Sequence, residues 1–331
     1  MHNPDRIIGM ASAFYDSCAL FAASDLGVFA RLAEVGTADA ASLAADLHLD
    51  TRGMRLLLDA CVALELLIKE GETYLNAPES SAFLVPGSPG DLSAAIRYNR
   101  DVYPAWGKLV TFVRNGTPVE QPEFHLGQDL ERTKTFVMSM HYRALAIGRA
   151  VLEELDLAGC KTLLDVGGGP GTYSVLISKK YPDIDCTVLD LPEVVKVAED
   201  LIRQQGCADR VRTLAGDYRS MEFPPGKDVI NFFGMFHQES PESIQALLRK
   251  AYAALKPGGI VNVMDMMTDG THTKPKFSAL FALNMALTTE HGWVFADSEL
   301  TGWMQGAGFV DCRVKPLPPP MPHWFATARK K

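Results

Sequence analysis

The feature that most limits what this chain can become is a change of rhythm at Cys160. From there on, short apolar runs alternate with amphipathic stretches, which implies a parallel sheet covered by helices on both faces. The pattern predicts strands over Thr162 to Val166, Cys186 to Leu189, Val211 to Ala215, Val229 to Phe233 and Ile260 to Met264. Phe309 to Val314 and Trp324 to Ala328 are expected to pair as two late strands that close the sheet. Between the fourth and fifth strands a helix is sharply punctuated. Ser240 stands as N-cap, Pro241 in the first turn, apolar Ile244, Leu247, Leu248, Ala251 and Leu255 follow at helical spacing, and Pro257-Gly258-Gly259 is the stop.

The region before this sheet reads differently. Ala11 to Leu32 carries apolar residues at helical spacing, Ser42 to Leu47 makes a short helix, and Asp50 opens a third that runs to about Leu66. Leu67 to Leu75, two short apolar segments around Gly71, reads as a hairpin. Three helices and a hairpin form a winged-helix order, which raises the question of DNA. The third helix sets Arg52 and Arg55 against Asp50, Asp59 and Glu65, and no basic stripe accompanies it, so packing or dimerisation suits it better than phosphate. Val85 to Gly90, rich in proline and glycine, ends the module. The expected domains are therefore residues 1–90, a helical connector over 91–158, and the α/β domain over 159–331.

Composition narrows the partners. A net charge of −8 and a pI near 5.5 repel nucleic acid and anionic lipid, so a small molecule is the expected partner. No secretory leader and no run of eighteen apolar residues is evident, and the six cysteines are scattered without a C-x-x-C pair. A cytoplasmic protein with reduced thiols and no thiolate metal site is expected.

The chemistry gathers at the strand ends. After the first strand comes Asp165-Val166-Gly167-Gly168-Gly169-Pro170-Gly171, a turn stripped of side chains where a ligand can approach the backbone. Dinucleotide binding asks for G-x-G-x-x-G, but counting from Gly167 places Thr172 at the last position, and no P-loop occurs. The second strand ends in Asp190, where one carboxylate can hold a ribose diol, followed by Leu191-Pro192. The third ends in Gly216-Asp217-Tyr218, a carboxylate for an adenine amino group and a ring to stack on it.

Taken together, these segments resemble the S-adenosylmethionine-dependent O-methyltransferases of the plant caffeate and isoflavone type and their bacterial relatives in antibiotic biosynthesis. The resemblance covers nearly the whole chain and includes Leu164-Asp165-Val166-Gly167-Gly168-Gly169, Asp190-Leu191-Pro192, Gly216-Asp217-Tyr218 and Ala254-Leu255-Lys256-Pro257-Gly258-Gly259. It implies a class I methyltransferase sheet of Rossmann-like type preceded by a helical winged-helix domain that makes a homodimer. S-adenosylmethionine is the implied cofactor, held by Asp165, Gly167, Gly168, Gly169, Asp190, Leu191, Asp217 and Tyr218. Phe233 joins this set at the end of the fourth strand, where the family often carries lysine or arginine. The catalytic histidine falls on His237, and the acceptor-lining positions fall on Phe136, Met140, Asn284 and Met285.

His237 also stands on its own chemistry. A phenol of pKa near 10 is a poor nucleophile until deprotonated, and histidine, with a pKa near 6.5, suits that task at neutral pH. Phe136, Met138, Met140, Met235, Phe236 and Met285 can supply a dry pocket in which sulfonium and phenolate neutralise each other. The family's orienting glutamate falls near Trp293 or Val294 here, leaving Glu239 and Glu290 as candidate substitutes. Methylation of carbon or nitrogen, and a regulator that binds the cofactor without catalysis, are the alternatives. His48, His125, His141, His272, His291 and His323 lack ligand-like spacing and are expected in surface or core roles.

Overall fold

A computed structural model describes residues 3–120, 130–319 and 321–331. The chain divides into two compact units, Met1–Asp101 and Val102–Lys331.

The first unit runs α1 (Asp5–Ser12), α2 (Phe14–Asp25), α3 (Val28–Val35), β1 (Ala38–Asp39), α4 (Ala40–Asp46), α5 (Thr51–Ala63), β2 (Leu67–Glu70), β3 (Thr73–Asn76) and α6 (Pro78–Phe83). The helix expected over Ala11 to Leu32 is broken: Gly27 takes a left-handed φ of 74°, and α3 starts afresh after it. Asp39 caps α4 by accepting the Ala41 and Ser42 N–H groups, both at 2.9 Å, and Asp50 caps α5 through the Gly53 N–H at 2.7 Å. The expected hairpin β2–β3 is present, and β1 adds a third strand in the order β1-β3-β2. Phe29, Leu32, Leu43, Leu58, Cys61 and Tyr74 make the core. By contrast, Ile7, Ile8, Met10, Phe14 and Tyr15 of α1 and α2 stand largely exposed. Among the described residues, the segment Asp5–Asp25 is the one long and apolar enough to cross a membrane by length and composition, and 6% of its most apolar 18-residue stretch is buried.

Helix α7 (Ser93–Trp106) runs into the second unit, which continues with α8 (Leu109–Asn115) and α9 (Leu130–Glu154). The α/β region then follows as β4 (Thr162–Val166), α10 (Thr172–Lys180), β5 (Asp185–Asp190), α11 (Pro192–Gln204), β6 (Val211–Ala215), β7 (Lys227–Phe233), α12 (Pro241–Ala254), β8 (Leu255–Asp265), α13 (Lys276–Thr288), α14 (Asp297–Gly306), β9 (Val310–Pro316) and β10 (Trp324–Arg329). Its seven strands are ordered β6-β5-β4-β7-β8-β10-β9. The first five pair in parallel, while β10 lies antiparallel to both β8 and β9.

All seven expected strands are found. β8 begins earlier than its apolar run, because Gly258 and Gly259 exchange backbone hydrogen bonds of 2.9 and 2.8 Å with Lys330. Ser240 caps α12 as expected, accepting the Ser243 N–H at 3.2 Å. Alternate residues of each strand feed two cores, one on each face: Leu164, Val166, Ile230, Phe232, Val261 and Val263 on one, Leu163, Val188, Val229, Phe233 and Met264 on the other. The strand order reverses at β4, with β5 on one side and β7 on the other. A crevice therefore opens beyond the carboxyl ends of β4 and β7, the place where open α/β sheets take their ligands.

Candidate active site

The glycine turn leaves β4 at that reversal. Gly167 has a φ of +64°, and a Cβ there would lie 3.3 Å from Met235 Cγ and 3.5 Å from Tyr218 Cε1. A Cβ on Gly168 would meet Asp165 Cγ and Val188 Cγ1 at 2.9 Å. Side chains are excluded on steric grounds, and the backbone itself faces the crevice. Asp190, at the end of β5, grips this turn: one carboxylate oxygen accepts the Gly169 N–H at 2.8 Å and the other the Leu191 N–H at 2.8 Å. Each oxygen keeps a further acceptor site, which matches the two hydroxyl donors of a ribose diol. Burial pushes the Asp190 carboxyl up to about 6, against the pull of those two N–H groups.

Asp165 braces the turn from beneath. It is fully buried, Oδ2 accepts the Ser174 hydroxyl at 2.7 Å, and burial pushes it up to about 7. Its register partner on β7 is Asn231. Asp165 Oδ1 and Asn231 Nδ2 are both buried without a partner among the described residues. Asn231 Oδ1 accepts from Asn262 Nδ2 at 3.0 Å, so a polar row crosses the middle of an otherwise apolar sheet.

At the end of β6, Asp217 is exposed and accepts the Arg219 N–H at 2.8 Å. Tyr218 is 8% exposed, its ring edge close to Gly167 and its hydroxyl donating to Glu239 Oε1 at 2.8 Å. Phe233 closes β7 and packs edge-on against Tyr173 at 5.2 Å.

Across the crevice, β7 leads through Met235 into a short 3₁₀ turn, Phe236–Gln238, that carries His237. His237 Nδ1 lies 2.6 Å from Asp265 Oδ1, and the His237 N–H donates to Asp265 Oδ2 at 3.2 Å. Asp265 is the last residue of β8 and is 1% exposed. The carboxylate fixes the tautomer with Nδ1 as donor and leaves the Nε2 lone pair free to take a proton. Asp265 is thus the partner of His237, and the expectation of Glu239 or Glu290 is corrected. The Glu239 carboxylate instead bonds Tyr218, Arg219 and Ser243, while Glu290 is exposed beside His291. Trp293 donates its N–H to the His237 carbonyl at 3.0 Å and its Nε1–H to the Glu239 carbonyl at 2.8 Å.

Helix α13 forms the wall beyond the histidine. Phe281 meets the His237 ring edge-on at 5.3 Å, and Met285 packs with Phe281, Met266 and Val294. Asn284 accepts the Trp106 Nε1–H at 2.9 Å, so it ties α13 to the end of α7. Phe136 and Met140 are half-buried one turn apart on α9. The next residue, His141, has Nδ1 2.8 Å from the Thr172 hydroxyl at the start of α10. His141 and His323 are buried, which lowers both below the ordinary histidine range and carries His323 to about 4. His48, His272 and His291 are exposed, and His125 lies outside the described residues. No cluster of metal-ligating side chains occurs among the described residues.

The chain is similar to known proteins over nearly its whole length. The O-methyltransferase domain family matches residues 111–310, and the O-methyltransferase dimerisation domain matches residues 8–86. A 3-hydroxy-5-methyl-1-naphthoate 3-O-methyltransferase of Streptomyces sahachiroi is 29% identical over 317 residues, covering 94% of this chain and 90% of that protein. The acetylserotonin O-methyltransferase of Macaca mulatta is 32% identical over 320 residues, covering 92% of each. The crystal structure of human N-acetylserotonin methyltransferase in complex with S-adenosylmethionine superposes with a TM-score of 0.88 at 29% identity, over 100% of this chain and 98% of that one. With the turn, the strand-end carboxylate and the histidine in one crevice, the chain belongs to the S-adenosylmethionine-dependent O-methyltransferases that carry a dimerisation domain.

Proposed function

We propose that this enzyme methylates a hydroxyl on a small aromatic or polycyclic compound, with His237 as general base. The observation that carries the reading is the 2.6 Å contact between His237 Nδ1 and Asp265, which leaves Nε2 as the proton acceptor at the mouth of the crevice.

S-adenosylmethionine, when bound, supplies an electrophilic methyl carbon on a sulfonium sulfur. Asp190 would hold the ribose, Asp165 supports the turn of Gly167, Gly168 and Gly169 whose backbone would face the cofactor, and Leu191, Asp217, Tyr218 and Phe233 would line the nucleoside side. His237 takes the acceptor's hydroxyl proton at Nε2, and the proton leaves the pocket from the same atom after transfer. Asp265 keeps the ring in the required orientation and stabilises the imidazolium formed. Phe136, Met140, Asn284 and Met285 line the acceptor side with Phe281, and flexible methionines among aromatic rings suit flat molecules. The hydroxynaphthoate in the name of the Streptomyces relative is a compound of this class.

In this reading residues 1–90 are the dimerisation module, 91–158 the helical connector that lends α9 to the acceptor pocket, and 159–331 the catalytic domain. A second copy of the chain covers the exposed apolar residues of α1 and α2, which fall largely inside the matched dimerisation domain. Methyl-labelled S-adenosylmethionine, incubated with a panel of hydroxynaphthoates and N-acetylserotonin, tests the activity. Label transferred to oxygen and lost in His237→Ala supports the reading; transfer only to nitrogen or carbon, or undiminished transfer by the variant, contradicts it.

A further inference from the structure

Beside the catalytic turn lies a buried charge that the mechanism above does not use. Glu239, two residues after His237, is 1% exposed, yet its carboxylate meets four donors. Oε1 accepts from the Tyr218 hydroxyl at 2.8 Å and from Arg219 Nη2 at 2.7 Å and Nε at 3.0 Å; Oε2 accepts from the Ser243 hydroxyl at 2.5 Å and from Arg219 Nε at 3.1 Å. A carboxylate removed this far from water is tolerated only when it is paired and hydrogen-bonded throughout, and here it is.

The donors come from two different parts of the site. Tyr218 and Arg219 follow β6 on the nucleoside side, and the Tyr218 ring lies close enough to Gly167 of the cofactor turn that a Cβ there would be 3.5 Å from its Cε1. Ser243 sits in the first turn of α12, behind the histidine. Gln238 adds a 3.3 Å bond from Nε2 to the Tyr218 hydroxyl, and Trp293 holds the opposite side of the turn through the His237 and Glu239 carbonyls. A continuous path of contacts thus runs from Gly167 through Tyr218 and Glu239 to the backbone of His237. The Arg219 guanidinium, half exposed, is held 5.9 Å from the Tyr218 ring.

We infer that Glu239 is a positioning residue that locks the cofactor side of the crevice to the turn carrying the base, so that its loss weakens cofactor binding and methyl transfer together. The inference rests on the proposed role of His237. It differs from a purely structural role, in which loss of Glu239 lowers thermal stability and leaves the kinetics of the folded enzyme untouched.

The test uses the full-length enzyme, Glu239→Gln, Arg219→Met and the double variant, with calorimetric titration of S-adenosylhomocysteine and steady-state kinetics on an acceptor methylated by the wild type. Removing the charge-assisted bonds is expected to raise the adenosylhomocysteine Kd about tenfold and to lower kcat at saturating S-adenosylmethionine by about tenfold. The double variant is expected to be little worse than Glu239→Gln alone, because both substitutions break one network. Should Glu239→Gln not fold, Arg219→Met, altered on the half-exposed side of the pair, carries the test. A Kd or a kcat within twofold of wild type in the folded variants overturns the inference, whatever the change in Tm. Failure of the wild type to bind adenosylhomocysteine or to transfer methyl at all would instead refute the proposed function.

Discussion

The proposed cofactor side and the proposed acceptor side of this crevice are written into the chain in different ways. On the cofactor side, Gly169 and Asp190 are 21 residues apart, just beyond and at the ends of neighbouring parallel strands, joined by one hydrogen bond from the Gly169 N–H to the Asp190 carboxylate. On the acceptor side, His237 reaches Asp265 across 28 residues, and Trp106 reaches Asn284 across 178. The first side offers mainly backbone N–H groups and carboxylates; the second offers Phe281, Met285 and Met266. A nucleoside presents the same hydroxyls and edges every time, so strand ends and a glycine turn suffice to hold it. An acceptor is recognised by shape, which apolar side chains on separate helices supply.

If the two sides rest on different side chains in this way, the largest effect comes from removing the base. His237→Ala is expected to lower kcat by about a thousandfold, within the usual range for general-base loss; a drop of less than tenfold would remove His237 from the reaction. Next comes the cofactor side. At an adenosylhomocysteine concentration of about 100 Kd, ligand binding stabilises the wild type by about 2.7 kcal/mol, and Asp190→Ala is expected to abolish the resulting rise in Tm; a wild-type rise retained by the variant would unseat the ribose assignment. Asp265→Asn keeps the shape but offers His237 the wrong hydrogen-bonding partner. It is expected to cut kcat by about thirtyfold with little change in adenosylhomocysteine affinity, and unchanged turnover would show that the ring is oriented by something else.

The smallest effect is a pH dependence on the cofactor side. Burial raises Asp165 to about 7, far above its unfolded value of 3.8. Its protonated form is therefore favoured by folding: the contribution to stability is complete below pH 3.8 and is lost as pH climbs toward 7. Asp165→Asn lacks this loss, so thermal melts at pH 5 and pH 8 are expected to move in the variant's favour by a few degrees at the higher pH. A difference in Tm that stays constant between the two pH values would contradict the buried, unpartnered oxygen.

The same contrast explains what the sequence made legible. Thr162 to Val166 begins and ends where expected, because a central parallel strand covered on both faces needs a nearly continuous apolar run. Ser240 and Asp50 cap their helices through contacts three residues away. The break at Gly27 overrode helical spacing that continued past it, since one left-handed residue redirects the chain whatever its neighbours favour. Asp265 was missed for another reason. The strand was expected to stop at Met264, and the orienting carboxylate was sought among residues near His237 in sequence or at the family's own position. Yet an acidic residue at the carboxyl end of a central strand is the same signal that marks Asp190. The Trp106–Asn284 bond had no such signal, because nothing local to either residue specifies a partner 178 positions away.

In the proposed reading the cofactor is held by the glycine turn and Asp190, and the His237 imidazole takes no part in holding it. Calorimetric titration of S-adenosylhomocysteine into the wild type and into His237→Ala under identical conditions tests it most directly. One molecule is expected to bind per chain in both proteins, with dissociation constants within about threefold of each other. Absence of binding to the wild type, or its loss in His237→Ala, would contradict it.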